Sequence, residues 1–114
     1  MNKTNILKKN QEIQSVLEEK KSVGNKYYAI YYQQTIKSDI KIAVATSKKI
    51  GKAVIRNHER RVIKEIIRDL ISSLEGIKLL VIVKKASLDL KYQAKQQEIK
   101  GLLKIIIERN KINE

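Results

Sequence analysis

The chain has 114 residues, with 25 Lys or Arg against 12 Asp or Glu, so its formal net charge is +13. That length suits one compact domain, and we expect a single domain over residues 1–114. The positive excess favours a polyanionic partner, with nucleic acid ahead of an anionic membrane surface. With no Cys, disulfides and thiolate metal sites are excluded, and the one His cannot build a zinc site alone. It also has no apolar run typical of a membrane span or a signal peptide, so we expect a cytoplasmic protein.

The first half of the chain predicts one helix followed by two strands. Ile13, Val16 and Leu17 recur at helical spacing and predict a short amphipathic helix that begins near Asn10. Aromatic and β-branched residues without a breaker then predict a strand, and an alternating segment predicts a second one. The helix is expected within the segment 7–21, and the other predicted ranges are 22–26 for a loop, 27–33 and 41–46 for the strands, and 35–39 for the turn between the strands.

The second half of the chain predicts a helix, a buried strand and a last helix. An Ile and Leu stripe predicts the central helix over 54–74, with Gly76 in a C-terminal cap position. The apolar run at 78–83 is typical of a strand buried on both faces, and helical spacing returns over 94–107. The order α-β-β-α-β-α predicts a single-domain α+β sandwich whose β-α-β crossover makes two strands parallel. Such crossovers are usually right-handed.

A basic segment at 47–61 lies where the second strand ends and the central helix begins. The first N–H groups of a helix have no partner within it, so such a junction can hold phosphates. A solvated face with ion pairs to Glu59, Glu65 and Asp69 is the alternative, but the cationic excess is too large for local neutralisation. We therefore interpret this surface as a nucleic-acid contact. Its members are Lys48, Lys49, Lys52, Arg56, Asn57, His58, Arg60, Arg61, Lys64 and Arg68.

Four of the five tyrosines lie in the first predicted strand. Alternation puts Tyr27 and Tyr31 on one face of the sheet, and Tyr28 and Tyr32 on the other. One pair is expected under the helices, while the other pair can offer rings to unpaired bases, and the spacing leaves open which pair does which. The acidic residues are scattered, without the paired arrangement that holds a catalytic metal. The sequence thus contains no recognisable active site of its own.

The basic segment also carries a long motif. Ser47, Lys48, Lys49 and Gly51 match Ser-Lys-Lys-x-Gly, and the following residues match Ala-Val-x-Arg-Asn-x-x-(Lys/Arg)-Arg through Arg61. With these residues the chain resembles the protein subunit of bacterial ribonuclease P. The resemblance extends over nearly the whole chain, through 7–10 and Val16 in the opening helix, the segment at 22–26 and the stretch at 82–86.

The resemblance implies a division of labour with RNA. The family's partner is a large catalytic RNA that performs Mg²⁺-dependent hydrolysis, and the holoenzyme removes the 5′ leader from precursor tRNA. The chain would then be the non-catalytic protein subunit of an RNA-based endonuclease, with Mg²⁺ held mainly by the RNA and with no required protein partner. The family also implies a left-handed β-α-β crossover, in place of the usual right-handed one. The basic loop and central helix would lie on the catalytic RNA, and a cleft between the first helix and the sheet would take the leader. The residues expected in that cleft are Ile13, Leu17, Tyr31, Lys84 and Lys85.

Three features depart from the family pattern. His58 stands where a cation such as Arg is typical, and Ala86 stands where a Pro is expected. Ile13 and Leu17 occupy positions at which the family usually has Phe. Because aliphatic side chains stack poorly on bases, leader binding is expected to depend more heavily on Tyr31.

Two other functions compete with this interpretation. One is a non-enzymatic protein that binds structured RNA, such as a ribosomal protein of related fold, and the long basic motif argues against it. The other is DNA binding through the basic helix, but the chain has no helix-turn-helix spacing to support it.

Overall fold

A computed structural model of the chain describes residues 10–18, 20–34, 40–70 and 76–112. Its strands form one four-stranded sheet in the order β1-β2-β4-β3, which confirms the predicted α+β class. The elements in chain order are α1 (Asn10–Glu18), β1 (Ser22–Gly24), β2 (Tyr28–Gln34), β3 (Ile40–Thr46), α2 (Ala53–Leu70), β4 (Ile77–Val83), a 3₁₀ helix (Lys85–Asp89) and α3 (Tyr92–Ile112).

The sheet is mixed. β3 and β4 are parallel and are joined through α2, as the β-α-β pattern predicts, with Ala43 beside Leu80 in the register. β2 runs antiparallel to β4, and β1 runs antiparallel to β2. The left hand of the crossover stays a prediction from the family resemblance. β3 is an edge strand, so the chain leaves the sheet edge directly into the basic loop and α2.

The two faces of the sheet differ in what covers them. One face packs against α2 and α3 in the main core, which includes Ile30, Val81 and Ile99, all fully buried. On the other face Val16 of α1 packs against Leu80, which forms a smaller cluster. β4 contributes buried side chains to both faces, which confirms the prediction of a strand buried on both sides.

β1 is a strand where the sequence predicted only a loop. Its three residues pair with β2 through backbone hydrogen bonds, and Val23 alone is buried, in the main core. The turn into β2 is closed by Asn25, whose Oδ1 accepts hydrogen bonds from the N–H groups of Tyr27 and Tyr28 at 2.8 and 2.9 Å. A three-residue strand is too short to show alternation, so the Gly24-Asn25 turn signal alone predicted a loop at this segment.

Several helix boundaries differ from the predicted ones. α1 ends at Glu18, and Lys20 adopts a positive φ of 57° while its N–H donates to the Leu17 carbonyl at 3.2 Å. Such a left-handed residue ends a helix. α3 is longer at both ends than 94–107, and the 3₁₀ helix before it was not predicted. Residues 71–75 and the predicted turn at 35–39 lie outside the described residues, and Gly76, with a φ of 60°, directly precedes β4.

The structure resolves which tyrosines are covered. Tyr28 and Tyr32 point into the main core and are buried, while Tyr31 is half-buried on the α1 face. The prediction that Tyr27 shares the face of Tyr31 is wrong, because Tyr27 packs against the main core. Tyr27 precedes β2 in a bend, so strand alternation does not extend to it.

Candidate nucleic-acid interface

The loop between β3 and α2 is fixed to the sheet at its base. The Ser47 N–H donates to the Val83 carbonyl at 2.9 Å, and the Ile50 N–H donates to the Ser47 carbonyl at 3.0 Å. Ile50 is 1% exposed and anchors the loop in the main core. This anchoring turns the loop's cationic side chains outward. The exposed members are Lys48, Lys49 and Lys52.

α2 begins directly after this loop and adds the positive end of its dipole to the same surface. The Arg56 N–H donates to the Lys52 carbonyl at 3.0 Å, which closes the first turn. That turn contains no acidic residue, so nothing in it offsets the partial positive charge of the unpaired N–H groups. The start of α2 therefore combines side-chain cations with backbone donors, a combination that suits phosphate groups.

The cationic side chains of α2 form one wall beside its buried stripe. At about 100° per residue, Asn57, Arg60, Arg61, Lys64 and Arg68 span an arc of about 100°, and Arg56 lies at its border with the buried stripe of Ile63, Ile66 and Ile67. All the polar side chains of this wall are exposed or half-buried. His58 is exposed but falls about 60° beyond Arg61 on an ideal helix. The members of the wall are Arg56, Asn57, Arg60, Arg61, Lys64 and Arg68.

Two polar groups on this wall have distinct environments. The Arg60 guanidinium donates a hydrogen bond to the side-chain oxygen of Asn57, one turn earlier. The Arg56 Nε is buried and has no hydrogen-bond partner among the residues that the structure describes. Buried donors are nearly always paired in proteins. An acceptor brought by a partner, such as a phosphate oxygen, would satisfy this one.

Glu59 does not neutralise the wall, as the alternative of a solvated face with intrahelical ion pairs would require. It is 3% exposed and faces α3, where Lys95 Nζ lies 2.8 and 3.0 Å from its two carboxylate oxygens. The pair joins α2 to α3 and leaves the wall's positive charge intact. A sequence signal existed for this burial, because Glu59 precedes the buried Ile63 by four residues and so falls on the apolar side of the helix.

A groove of about 350 Å³ lies between α1 and the sheet, at the place where the family resemblance implies a cleft. Ile13 and Leu17 line it from α1, as predicted, and Leu17 is 40% exposed. The small side chains of Ala43 and Ala45 leave space on the sheet side. These alanines were not predicted as site residues, although the alternation at 41–46 carries the signal that they share a face. The full lining is Ile13, Leu17, Ile42, Ala43, Val44, Ala45, Lys64, Leu80 and Ile82.

Lys64 connects the wall to the groove. It is half-buried, and it is the one cation in the groove's lining within the described part of the chain. The wall and the groove, which lie far apart in the sequence, are therefore continuous in space at this residue.

The other residues predicted for the groove, Tyr31, Lys84 and Lys85, are not part of its lining. Tyr31 is half-buried, stands beside Leu80 in the sheet register and packs with Val16. Lys84 donates from Nζ to the Asn25 carbonyl at 2.7 Å, and Lys85 is exposed at the start of the 3₁₀ helix. Neither lysine lines the groove, and their part in leader binding stays a prediction.

Among the described residues, no group of three or more His, Asp or Glu side chains is placed to hold a metal ion. Over the same residues, no helix is long and apolar enough to cross a membrane. The candidate interface is thus made of cations, backbone donors and one apolar groove, and the described part of the chain offers no protein-held metal site.

Comparison with known proteins decides the family. The Ribonuclease P family model matches residues 1–107. The chain belongs to this family. It is 34% identical over 108 residues to the ribonuclease P protein component of Mycoplasma capricolum, a match that covers 93% of this chain and 99% of that one.

Solved ribonuclease P proteins share the fold. A structure of the Staphylococcus aureus ribonuclease P protein superposes with a TM-score of 0.82 at 27% identity, over 91% of this chain and 96% of that one. A second S. aureus structure has a TM-score of 0.85 at 28% identity, over 91% of this chain and 89% of that one. It is of a ribonuclease P protein mutant with defective mRNA degradation activity.

Proposed function

We infer that this chain is the protein component of ribonuclease P, the non-catalytic subunit of an RNA-based endonuclease. The observation that carries the inference is the continuous cationic surface of the basic loop and α2, in a chain that matches the Ribonuclease P family over residues 1–107. A protein with such a surface suits a large polyanion, and ribonuclease P RNA is the partner that family membership implies.

The basic loop and the wall of α2 are our proposed contact with this catalytic RNA. Three features support the proposal: the loop's lysines are exposed, the first turn of α2 lacks acidic residues, and Glu59 is engaged by Lys95 instead of by the wall. Each Lys or Arg that neutralises a phosphate releases counterions, so binding should weaken steeply with salt. His58 would contribute less than the arginines, because it falls about 60° beyond Arg61 on an ideal helix, at the edge of the wall.

The groove is our proposed binding site for the 5′ leader of precursor tRNA. Its apolar lining can take up unpaired bases, and Lys64 at its border can meet a phosphate. Tyr31 is the aromatic side chain on this face of the sheet within the described residues, so stacking would depend on it. Ile13 and Leu17 would contribute van der Waals contact, which discriminates little between bases.

Mg²⁺ would supply the hydrolytic chemistry of the holoenzyme, held mainly by the RNA. The described residues offer no acidic cluster that fits a protein-held ion. The protein's own contribution is to bind and orient two RNAs, and we propose that it does so in the cytoplasm without a further protein partner.

The alternative of a ribosomal protein makes a different prediction for the bound RNA. Tagged protein recovered from its own cells should carry one long structured RNA with ribonuclease P activity. An Arg56→Ala, Arg60→Ala, Arg61→Ala variant should lose that RNA, while a variant of exposed α3 lysines, Lys100→Ala with Lys104→Ala, should retain it. Recovery of ribosomal subunits in place of that RNA would refute the proposed function.

A further inference from the structure

The helices α2 and α3 begin at the same end of the sheet and run parallel to each other. α2 leads from the end of β3 back to the start of β4, because these two strands are parallel. α3 runs in the same direction: near its start Glu98 accepts a hydrogen bond from Asn25, just before β2, and near its end Arg109 donates to the Tyr32 hydroxyl, further along β2. Since β2 is antiparallel to β4, α3 runs back along β4, as α2 does.

Two exposed apolar side chains face each other across the first turns of these helices. The Glu59–Lys95 ion pair joins the helices. Ile55 precedes Glu59 by four residues. Tyr92 precedes Lys95 by three. Each therefore lies on the same side of its helix as the ion pair, about one turn nearer the N-terminus. Ile55 is 39% exposed and Tyr92 is 44% exposed, and we name the two side chains together the Tyr92 platform.

The platform is exposed because both helices extend beyond the core. Tyr92 lies on the side of α3 that carries Ile99 and Ile106 at intervals of seven residues, and both of these are fully buried. Ile55 has the same relation to Val62, which packs against the main core. The Tyr92 ring makes no hydrogen bond, cation–π contact or ring contact with the residues that the structure describes. One face of an aromatic ring is thus open for a partner.

The charges around the platform favour RNA as that partner. Lys52 precedes α2, Lys91 precedes α3, and both lysines are exposed. The first turn of neither helix contains an acidic residue. Asp89 is the one acidic residue within three sequence positions of Ile55 or Tyr92. A second copy of this chain, with its net charge of +13, would meet repulsion at such a surface, whereas a polyanion would be attracted to it.

The position of the platform distinguishes between the two RNAs. The groove lies on the α1 face of the sheet, while α2 and α3 pack on the opposite face. The platform is continuous with the basic loop, which ends at Lys52. An RNA bound to this loop and to α2 can therefore reach the platform, and a leader in the groove is separated from it by the sheet.

We propose that Tyr92 stacks on an unpaired base of the catalytic RNA, with Ile55 as a second apolar contact. The proposal rests on the proposed function, because it takes the RNA on the basic loop to be the ribonuclease P RNA. The cations of the loop and the wall meet phosphates, which recur along any RNA. A stacked base adds a contact that only an unpaired nucleotide can make.

The test is the affinity of the protein for ribonuclease P RNA, measured over a range of salt. Tyr92→Ala removes the ring, Tyr92→Phe keeps it, and Tyr92→Leu keeps apolar volume without a ring. Ile105→Ala is the matched control, because it truncates an apolar side chain of α3 that is 41% exposed and lies outside the platform.

Tyr92→Ala should weaken RNA binding roughly 5- to 150-fold, the range for one lost aromatic–base stack, and Tyr92→Leu should weaken it to a similar degree. Tyr92→Phe and Ile105→Ala should bind like the wild type. Because no charge is removed, the slope of log K against log salt should stay unchanged in every variant. One unpaired nucleotide of the RNA should also lose its protection from 2′-hydroxyl acylation in the Tyr92→Ala complex and keep it in the Tyr92→Phe complex.

Three results would overturn the proposal. The first is equal affinity of Tyr92→Ala and Ile105→Ala for the RNA. The second is a folded Tyr92→Leu that binds like the wild type, which would show that the ring itself is not needed. The third is a dimer of the free protein that Tyr92→Ala dissociates while RNA affinity is unchanged, which would assign the platform to a second copy. Failure of the proposed function would look different, because the wild-type protein itself would then not bind ribonuclease P RNA.

Discussion

Removing the ammonium group of Lys95 should destabilise the protein strongly, because it would leave the carboxylate of Glu59 buried without a counter-charge. Glu59 is 3% exposed and Lys95 is 6% exposed, and Nζ lies 2.8 and 3.0 Å from the two carboxylate oxygens. Breaking a buried ion pair at one partner costs about 3–5 kcal/mol. For a domain of this length, in which 1 kcal/mol corresponds to roughly 4 °C, Lys95→Ala should lower the Tm by about 12–20 °C.

The assay is thermal unfolding followed by circular dichroism, with two further variants. Lys100→Ala removes an exposed lysine from the same helix and should stay within about 0.5 kcal/mol of the wild type. Glu59→Leu combined with Lys95→Leu removes both charges and should recover most of the loss, because apolar replacement of a buried ion pair is often neutral or stabilising.

The double variant also separates stability from function. If the ion pair only holds α2 against α3, the apolar pair should hold it too, and assembly with the catalytic RNA should be unchanged. The proposed role of the ion pair is refuted if Lys95→Ala melts like Lys100→Ala, or if the double variant is no more stable than Lys95→Ala alone.

Three further predictions concern the wall, the groove and the core. Arg60→Ala with Lys64→Ala should weaken assembly with the catalytic RNA and flatten the slope of log K against log salt by roughly 0.7–0.9 for each phosphate that is no longer neutralised; an unchanged slope in a folded variant would remove α2 from the interface. Tyr31→Ala should weaken holoenzyme binding of leader-bearing tRNA by about 1–3 kcal/mol, the value of one stacked base, while Tyr31→Phe binds like the wild type. A large fall in Tm with equal affinity decreases for leader-bearing and mature tRNA would contradict a stacking role. Burial raises the pKa of Tyr28 from 10.0 to about 12, so the folded protein keeps a proton that the unfolded chain loses. This stabilisation is complete below pH 10 and should decline by up to about 3 kcal/mol as the pH rises toward 12 and above, and denaturant unfolding of Tyr28→Phe should lack that part of the decline.

The elements with long, strongly periodic patterns were predictable from sequence. The Ile stripe predicts that one side of α2 is buried, and the apolar run predicts that β4 is a buried strand. The structure confirms both. β1 was not predictable, because its identity as a strand comes from backbone pairing to β2 and not from its own three residues. The end of α1 likewise depends on the backbone conformation of Lys20, which no side-chain pattern predicts.

The positive charge of the candidate interface could be predicted from the sequence, but much of its shape could not. The cations of the loop and α2 could be assigned to one surface because helical spacing fixes their direction. Their continuity with the groove through Lys64 depends on how α2 sits at the β3 edge, which is a tertiary property. Glu59 shows the same limit, since its partner Lys95 is 36 residues away and on another helix. The groove's depth comes from Ala43 and Ala45, whose small size matters only once α1 is packed above them.

The protein binds and positions RNA, in the function proposed above, while the RNA subunit performs the cleavage. A cleavage assay with Mg²⁺ examines this division of labour directly: protein alone, catalytic RNA alone and the two together act on the same precursor tRNA, with an mRNA as a second substrate. We expect the reconstituted complex to remove the 5′ leader at a single site, and the protein alone to cleave neither substrate. Robust cleavage of either RNA by protein purified free of RNA would show instead that the protein carries a catalytic site of its own.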